Sequence, residues 1–360
     1  MFGERLHLAR KKAGYSLRDL ADRLEGKVSP QAIGKYERGE MMPSSGILIA
    51  LAKALGVSMD FFAAPSGVRL GAIDFRKHSG TSVRERAQVE AEVIEHVERY
   101  LLIEEILDLK SSEWQAPFRP RPVTAPDDAE NVAEEVRNHW HLGEDPIPNL
   151  TELLEEKGVK VMLLNLPDRV SGLTCEVQRP DKEPVPVIVV NRNHNLERRR
   201  MTMAHELGHR VMDASEGILE KAATRFAGAF LQPPKHVRNE VGYHRHRFGA
   251  AEVITTKRLY RVSASAFVVR CRDLGIISQD ALVRLFLTVG RTWRSEEPHP
   301  MEPPNQRGEY EKPKRFQRLC YRALAEDLIT ETKAAELLQC PVRQVEAAMM
   351  GLSNGSDCHQ

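Results

Sequence analysis

No apolar run in the 360 residues approaches the roughly 20 needed to cross a bilayer, and no secretory leader is expected from the first residues. No membrane association is expected, and the expected location is the cytoplasm. Met1 to Arg10 opens instead as an amphipathic helix. Cysteine is sparse: Cys175, Cys271, Cys320, Cys340 and Cys358 are scattered, odd in number and free of any C-x-x-C spacing. That pattern argues against a disulfide framework or a cysteine metal site and leaves reduced structural thiols. Net charge is almost absent at +1, which decides nothing about nucleic acid, because such partners respond to local patches. No internal repeat of fixed period is present. What remains is an ordinary globular composition, 41% hydrophobic and 29% charged, over a length sufficient for two or three cores.

Two proline-rich stretches punctuate the chain, residues 114–126 and 297–313. Proline at that density prevents continuous helix or central strand, so both read as linkers or wandering loops. Residues 81–111 read as one long amphipathic helix, with Val83, Val89, Val93, Ile94, Val97, Leu101 and Ile106 at helical spacing. Periodicity of this kind points to a packing or dimer helix between domains.

Residues 1–65 hold ten Lys/Arg against seven Asp/Glu, with Lys27, Lys35 and Arg38 close together. They break into five short helical segments. Gly14 ends the first, Ser16 caps the second with Asp19 at the capping-box position, and Gly26 closes it. Ser29 caps the third with Pro30 in its first turn. Pro43 and Ser44 open a fourth over 47–55, closed by Gly56, and Ser58 begins a final turn. Leu17, Leu20, Ala21, Leu24, Ile33 and Tyr36 face inward, which makes a helix-turn-helix candidate.

The stretch Ser16-Leu17, Leu20-Ala21, Ser29, Ile33, Tyr36 to Gly39, Pro43, Leu51 to Val57 and Asp60 to Phe62 resembles the phage-repressor (Cro/C1, or XRE) family. The resemblance implies that the third helix enters the major groove of a double-stranded DNA operator. Ser29, Pro30, Gln31, Ala32 and Lys35 would then line the DNA-facing side. Gln31 suits adenine, and Lys35 suits guanine or phosphate. Arg18 and Arg38 would touch phosphate and fix register. Glu37 matches a structural position rather than a DNA contact. A homodimer is expected, because such proteins usually read two half-sites.

Residues 198–213 read as a helix carrying His205-Glu206-Leu207-Gly208-His209. Histidines four apart project from one face and can hold one cation, with the Glu206 carboxylate beside them as general base. A strand-like run over 186–191 precedes this helix, and Met203, Leu207 and Val211 give it an apolar side. A catalytic zinc usually takes a third protein ligand. The next helical segment offers Glu216 and Glu220, and composition does not choose between them.

Arg200 to His209, followed by Glu220, Ala223, Phe226-Ala227, Phe230-Leu231 and Pro233, resembles the ImmA/IrrE family of zinc peptidases over about residues 130–280. That resemblance implies Zn2+ held by His205, His209 and Glu220, with Glu206 taking a proton from water and returning it to the leaving amine. One departure is Thr224, where the family often has Asn or Asp; another is Gln232 before the proline. An oxyanion donor is also needed, for which the cluster 243–246 is a candidate by composition alone, although a solvated loop is the simpler reading of it.

The expected fold is mainly α with a small β-sheet. A five-helix helix-turn-helix domain spans 1–65, a linker with the long helix spans 66–128, and a zincin-like peptidase domain spans 129–292. A proline-rich linker (293–313) leads to a small helical module (314–352), itself faintly helix-turn-helix-like, and residues 353–360 read as disordered. The expected function is a transcription regulator fused to a zinc endopeptidase whose substrate is a repressor-type protein, in a stress response or on a mobile element. The competing expectations are a zinc-containing regulator without proteolysis and an antitoxin-type component of a toxin–antitoxin pair.

Overall fold

In the computed structural model, which describes residues 2–63, 69–70, 82–109, 113–179, 182–293 and 295–351, the first helices follow the sequence's punctuation. They are α1 (Phe2–Lys12), α2 (Leu17–Arg23), α3 (Pro30–Glu37), α4 (Ser45–Leu55) and α5 (Met59–Ala63). Ser16 Oγ accepts from Asp19 N at 3.1 Å, and the Asp19 carboxylate accepts from Ser16 N at 2.8 Å. Ser29 Oγ accepts from Ala32 N at 3.2 Å, with Pro30 in the first turn of α3. α4 begins two residues earlier than expected, with Ser44 at its N-cap position but making no side-chain capping bond, and Gly56 ends it in the left-handed region at φ 66°. Leu6, Leu20, Leu24, Ile33, Leu51 and Phe62 share the core of this bundle.

β1 (Arg69–Leu70) comes next, then α6 (Val83–Ile106), capped by a Ser82–Glu85 capping box. The ends of the helix expected over 81–111 (residues 81, 110 and 111) lie outside the described residues, as do Cys358 and the tail expected to be disordered. The chain continues through β2 (Arg121–Pro122), α7 (Ala129–His139), α8 (Leu150–Glu156), β3 (Lys160–Leu164), β4 (Gly172–Arg179) and β5 (Lys182–Asn191). Then come α9 (Leu196–Val211), β6 (Met212–Asp213), α10 (Glu216–Leu231), α11 (Pro234–Val241), α12 (Ala250–Tyr260), α13 (Ala264–Asp273) and α14 (Gln279–Leu287). The last elements are α15 (Arg315–Ala325), α16 (Glu331–Leu338) and α17 (Val342–Met349). The protein is mainly α-helical with small sheets, as expected.

Two compact units result: Met1–Ser112 with Cys175–Val187 and Arg315–Gln360, and Glu113–Thr174 with Ile188–Lys314. In the first, α6 is the spine. Its Glu98 pairs with Arg5 of α1, and its Glu95 pairs with Lys12 at 2.7 Å and accepts from Gln339. Further along, Tyr100, Ile103 and Leu107 share a core with Phe316, Leu319, Ala323, Leu337 and Val345. Burial pushes the Cys320 thiol in this core up to about 12, and does the same to Cys271 in the second unit. Both therefore stay protonated and inert, as expected of structural thiols.

The strand-like run before the motif helix belongs to β5, buried from Val185 to Asn191. The motif helix stops at Val211, not Asp213. Met212 turns extended (φ −120°, ψ 145°), and β6 pairs in parallel with β2, Arg121 opposite Met212 and Pro122 opposite Asp213. Backbone pairing to a distant segment ended the helix, which local propensity could not reveal.

The proline-rich segment 297–311 is pinned to the α9 region by buried carboxylates. Glu302 accepts from Arg199 at 2.7 and 3.2 Å, Glu311 from Arg200 at 2.5 Å, and Glu297 from Lys257 at 2.7 Å. Arg199 and Glu302 are 1% and 0% exposed. Truncating one partner of such a pair strands a charge in the interior, at a cost of about 3–5 kcal/mol. Glu302→Ala should therefore destabilise the second unit by about that much. Trp114, Trp140 and Trp293, the only tryptophans of the chain, all belong to this unit, so indole fluorescence in urea reads it selectively. A loss below about 1 kcal/mol would mean that the pair is screened as surface pairs are.

Candidate metal centre and nucleic-acid interface

α9 starts at an Asn195 cap and carries His205 and His209 one turn apart. α10 packs along it: Met203, Leu207 and Val211 share one core with Ala223, Phe226, Ala227 and Phe230. Gly208 permits the approach, since a Cβ there would stand 3.0 Å from Phe226 Cδ1 and 3.3 Å from Met212 Cε. Motif spacing carries no sign of this packing role, which the α9–α10 contact reveals.

The consequence is a convergence of three side chains. His205 Nε2 and His209 Nε2 lie 3.0 Å apart, and the Glu220 carboxylate oxygens lie 3.3 Å from the first and 3.4 Å from the second. All ligand atoms fall within 4.8 Å of one another. Donors bound about 2.0–2.1 Å from one tetrahedral centre sit roughly 3.4 Å apart, so this spacing fits a single small cation and a mixed N/O donor set of the kind zinc takes. The histidine side chains are 22% and 12% exposed and Glu220 is 52% exposed, which leaves the group open on one side. Glu216, the other carboxylate left open by composition, is outside the group. Glu206 follows His205 on α9 and is only 8% exposed.

Outside that group, Thr224 Oγ1 lies 3.4 Å from His205 Nδ1 and donates to the Glu220 carbonyl at 2.9 Å. Within the cluster 243–246, one residue has other engagements. Arg245 donates to Val241 O and Glu252 and lies over the Phe248 ring, and neither His244 nor His246 joins the metal-ligand group.

On the first unit, Arg18, Ser29, Gln31, Lys35 and Arg38 are exposed, and Pro30 and Ala32 are half-buried. Arg38 is engaged with Glu40 at 2.6 and 3.1 Å. An exposed pair of this kind is worth little, so the guanidinium can leave it for a phosphate. Glu37 turns inward: it accepts from Arg10 at 2.5 and 2.8 Å and meets His7 Nδ1 at 2.8 Å. α1 crosses directly beneath, where a Cβ on Gly3 would lie 2.3 Å from Glu37 O. Among the described residues no helix is long and apolar enough to cross a membrane.

The first unit thus carries a helix-turn-helix bundle and the second a three-residue metal-ligand group, and comparison with known families finds a counterpart for each. Residues 6–62 match the helix-turn-helix family model, and residues 154–272 match the IrrE N-terminal-like domain of peptidase family M78. The architecture is an XRE-type helix-turn-helix followed by an ImmA/IrrE-type domain. The chain is also similar to the SPbeta prophage-derived uncharacterized HTH-type transcriptional regulator YonR of Bacillus subtilis (strain 168), 46% identical over 61 residues. That match takes in 17% of this chain and 55% of the relative, so the chain spans little more than half of that protein's length. No solved structure matches.

Proposed function

We propose that this protein is a transcription regulator that reads duplex DNA through α3 and hydrolyses a DNA-binding repressor at a zinc centre held by His205, His209 and Glu220. The observation that carries the reading is the convergence of those three ligand atoms within 4.8 Å, beside a buried Glu206. Bound there, zinc supplies Lewis acidity and eases the ionisation of water near neutral pH. Glu206 takes the proton of the attacking water and delivers it to the leaving amine. A structural zinc needs no carboxylate in that place, which favours hydrolysis over a merely zinc-containing regulator. Tethering both activities to one chain raises the effective concentration of peptidase around repressors bound at the same operator.

The test compares protein N-termini in cells carrying the parent and cells carrying Glu206→Gln. The expected result is a new N-terminus inside a DNA-binding protein, present only with the parent. Identical termini, with target genes regulated equally by both, would overturn the peptidase and leave a DNA-binding regulator.

For the DNA face, Gln31→Ala should cost about 1–3 kcal/mol at one base pair and relax specificity there. Lys35→Ala should weaken binding evenly across sequences and reduce the salt slope by about 1 if Lys35 holds phosphate. Titrations of operator and scrambled duplexes at several salt concentrations check both. Unchanged affinity in both variants would remove α3 from the interface.

A further inference from the structure

We infer that Thr224 is a positioning residue that fixes the ring of His205 for metal binding, an inference that rests on the metal centre proposed above. A threonine hydroxyl has one proton to give and lone pairs to receive. In α10 that proton goes to the Glu220 carbonyl at 2.9 Å, the usual bond of a helical threonine to the carbonyl four residues back. The oxygen therefore turns only lone pairs toward His205 Nδ1, 3.4 Å away. A hydrogen on Nδ1 is therefore the tautomer that this contact favours. A neutral imidazole has one N–H, so that tautomer keeps the Nε2 lone pair for a cation. Nε2 is the atom that faces His209 Nε2 and the Glu220 carboxylate.

The arrangement is economical because one residue serves both walls of the centre. Thr224 sits one turn beyond Glu220 on the same helix and bonds to its backbone, so the third carboxylate and the clamp on the first histidine move together. Histidine ligands generally depend on such a partner at the other ring nitrogen, and losing it typically costs 10–100-fold in metal affinity. A neutral hydroxyl polarises the ring less than a carboxylate would, so this chain gains orientation more than added basicity.

The experiment is zinc titration of the full chain against a chromophoric chelator, using the parent, Thr224→Val, Thr224→Ala and Thr224→Ser. Val and Ala remove the hydroxyl in two different shapes, whereas Ser keeps it. Indole fluorescence of each zinc-free protein in urea reports whether the second unit still folds. The expected result is zinc affinity about 10–100-fold lower for Val and Ala, with Ser close to the parent and all four proteins equally stable without metal. Parental affinity in either folded hydroxyl-free variant would overturn the role of Thr224. So would a loss in Ser equal to that in Val, which would assign the effect to the methyl group. Failure of the parent itself to bind zinc would instead sink the metal centre.

Discussion

Purified Glu206→Gln protein is expected to bind zinc as tightly as the parent while its turnover of the protein substrate falls by about 10²–10⁴-fold. Glutamine keeps the shape of the side chain in its buried place, 8% exposed beside His205, but cannot accept and return a proton. His209→Ala should behave differently. It removes one of the three converging ligand atoms, so zinc affinity falls beyond the 10–100-fold typical of losing an outer partner, and hydrolysis is lost with it. Measuring zinc content and rate on the same preparations separates the two effects. Hydrolysis at the parental rate by the glutamine variant would exclude Glu206 as the base, and full zinc occupancy without His209 would move the metal elsewhere.

Acid is expected to loosen the helix-turn-helix bundle through one residue. Burial alone would raise the Glu37 carboxyl, but hydrogen bonds and charge from Arg10 and His7 outweigh it and hold the group at about 2, against an ordinary 4.5. A carboxyl depressed in the folded state stabilises fully above its unfolded value. That contribution is lost as the pH falls from 4.5 toward 2. Glu37→Gln should remove it at neutral pH as well, since Arg10 then keeps a buried charge without its carboxylate. Hydrogen exchange of peptides from α1 and α3, parent against variant at each pH, isolates this term from the other carboxylates. Parallel curves between pH 5 and 2 would show that Glu37 is not the group that titrates.

The local signals were legible because each is settled within a few residues. The Ser16–Asp19 capping box, the Ser29 cap with Pro30 and the closing Gly56 all stand where the sequence placed them. The facing of His205 and His209 follows from helical spacing alone. Glu220 required more than spacing, because choosing it over Glu216 depends on how α10 lies against α9, which turns on Gly208 and Phe226. The anchoring of residues 297–311 was not legible. Glu302 meets Arg199 across 103 residues and Glu311 meets Arg200 across 111, and pairing over such distances leaves no local pattern. The proline content of that stretch reports only the absence of regular structure.

The spine helix imposes an order of events on synthesis. Tyr100, Ile103 and Leu107 of α6 emerge early, yet their apolar partners Phe316, Leu319 and Val345 are encoded beyond the whole second unit. At about 5–20 residues per second, the intervening stretch of roughly 200 residues takes on the order of 10–40 s to translate. For that interval the nascent helix carries an uncovered apolar seam, the kind of surface that exposes a folding chain to aggregation.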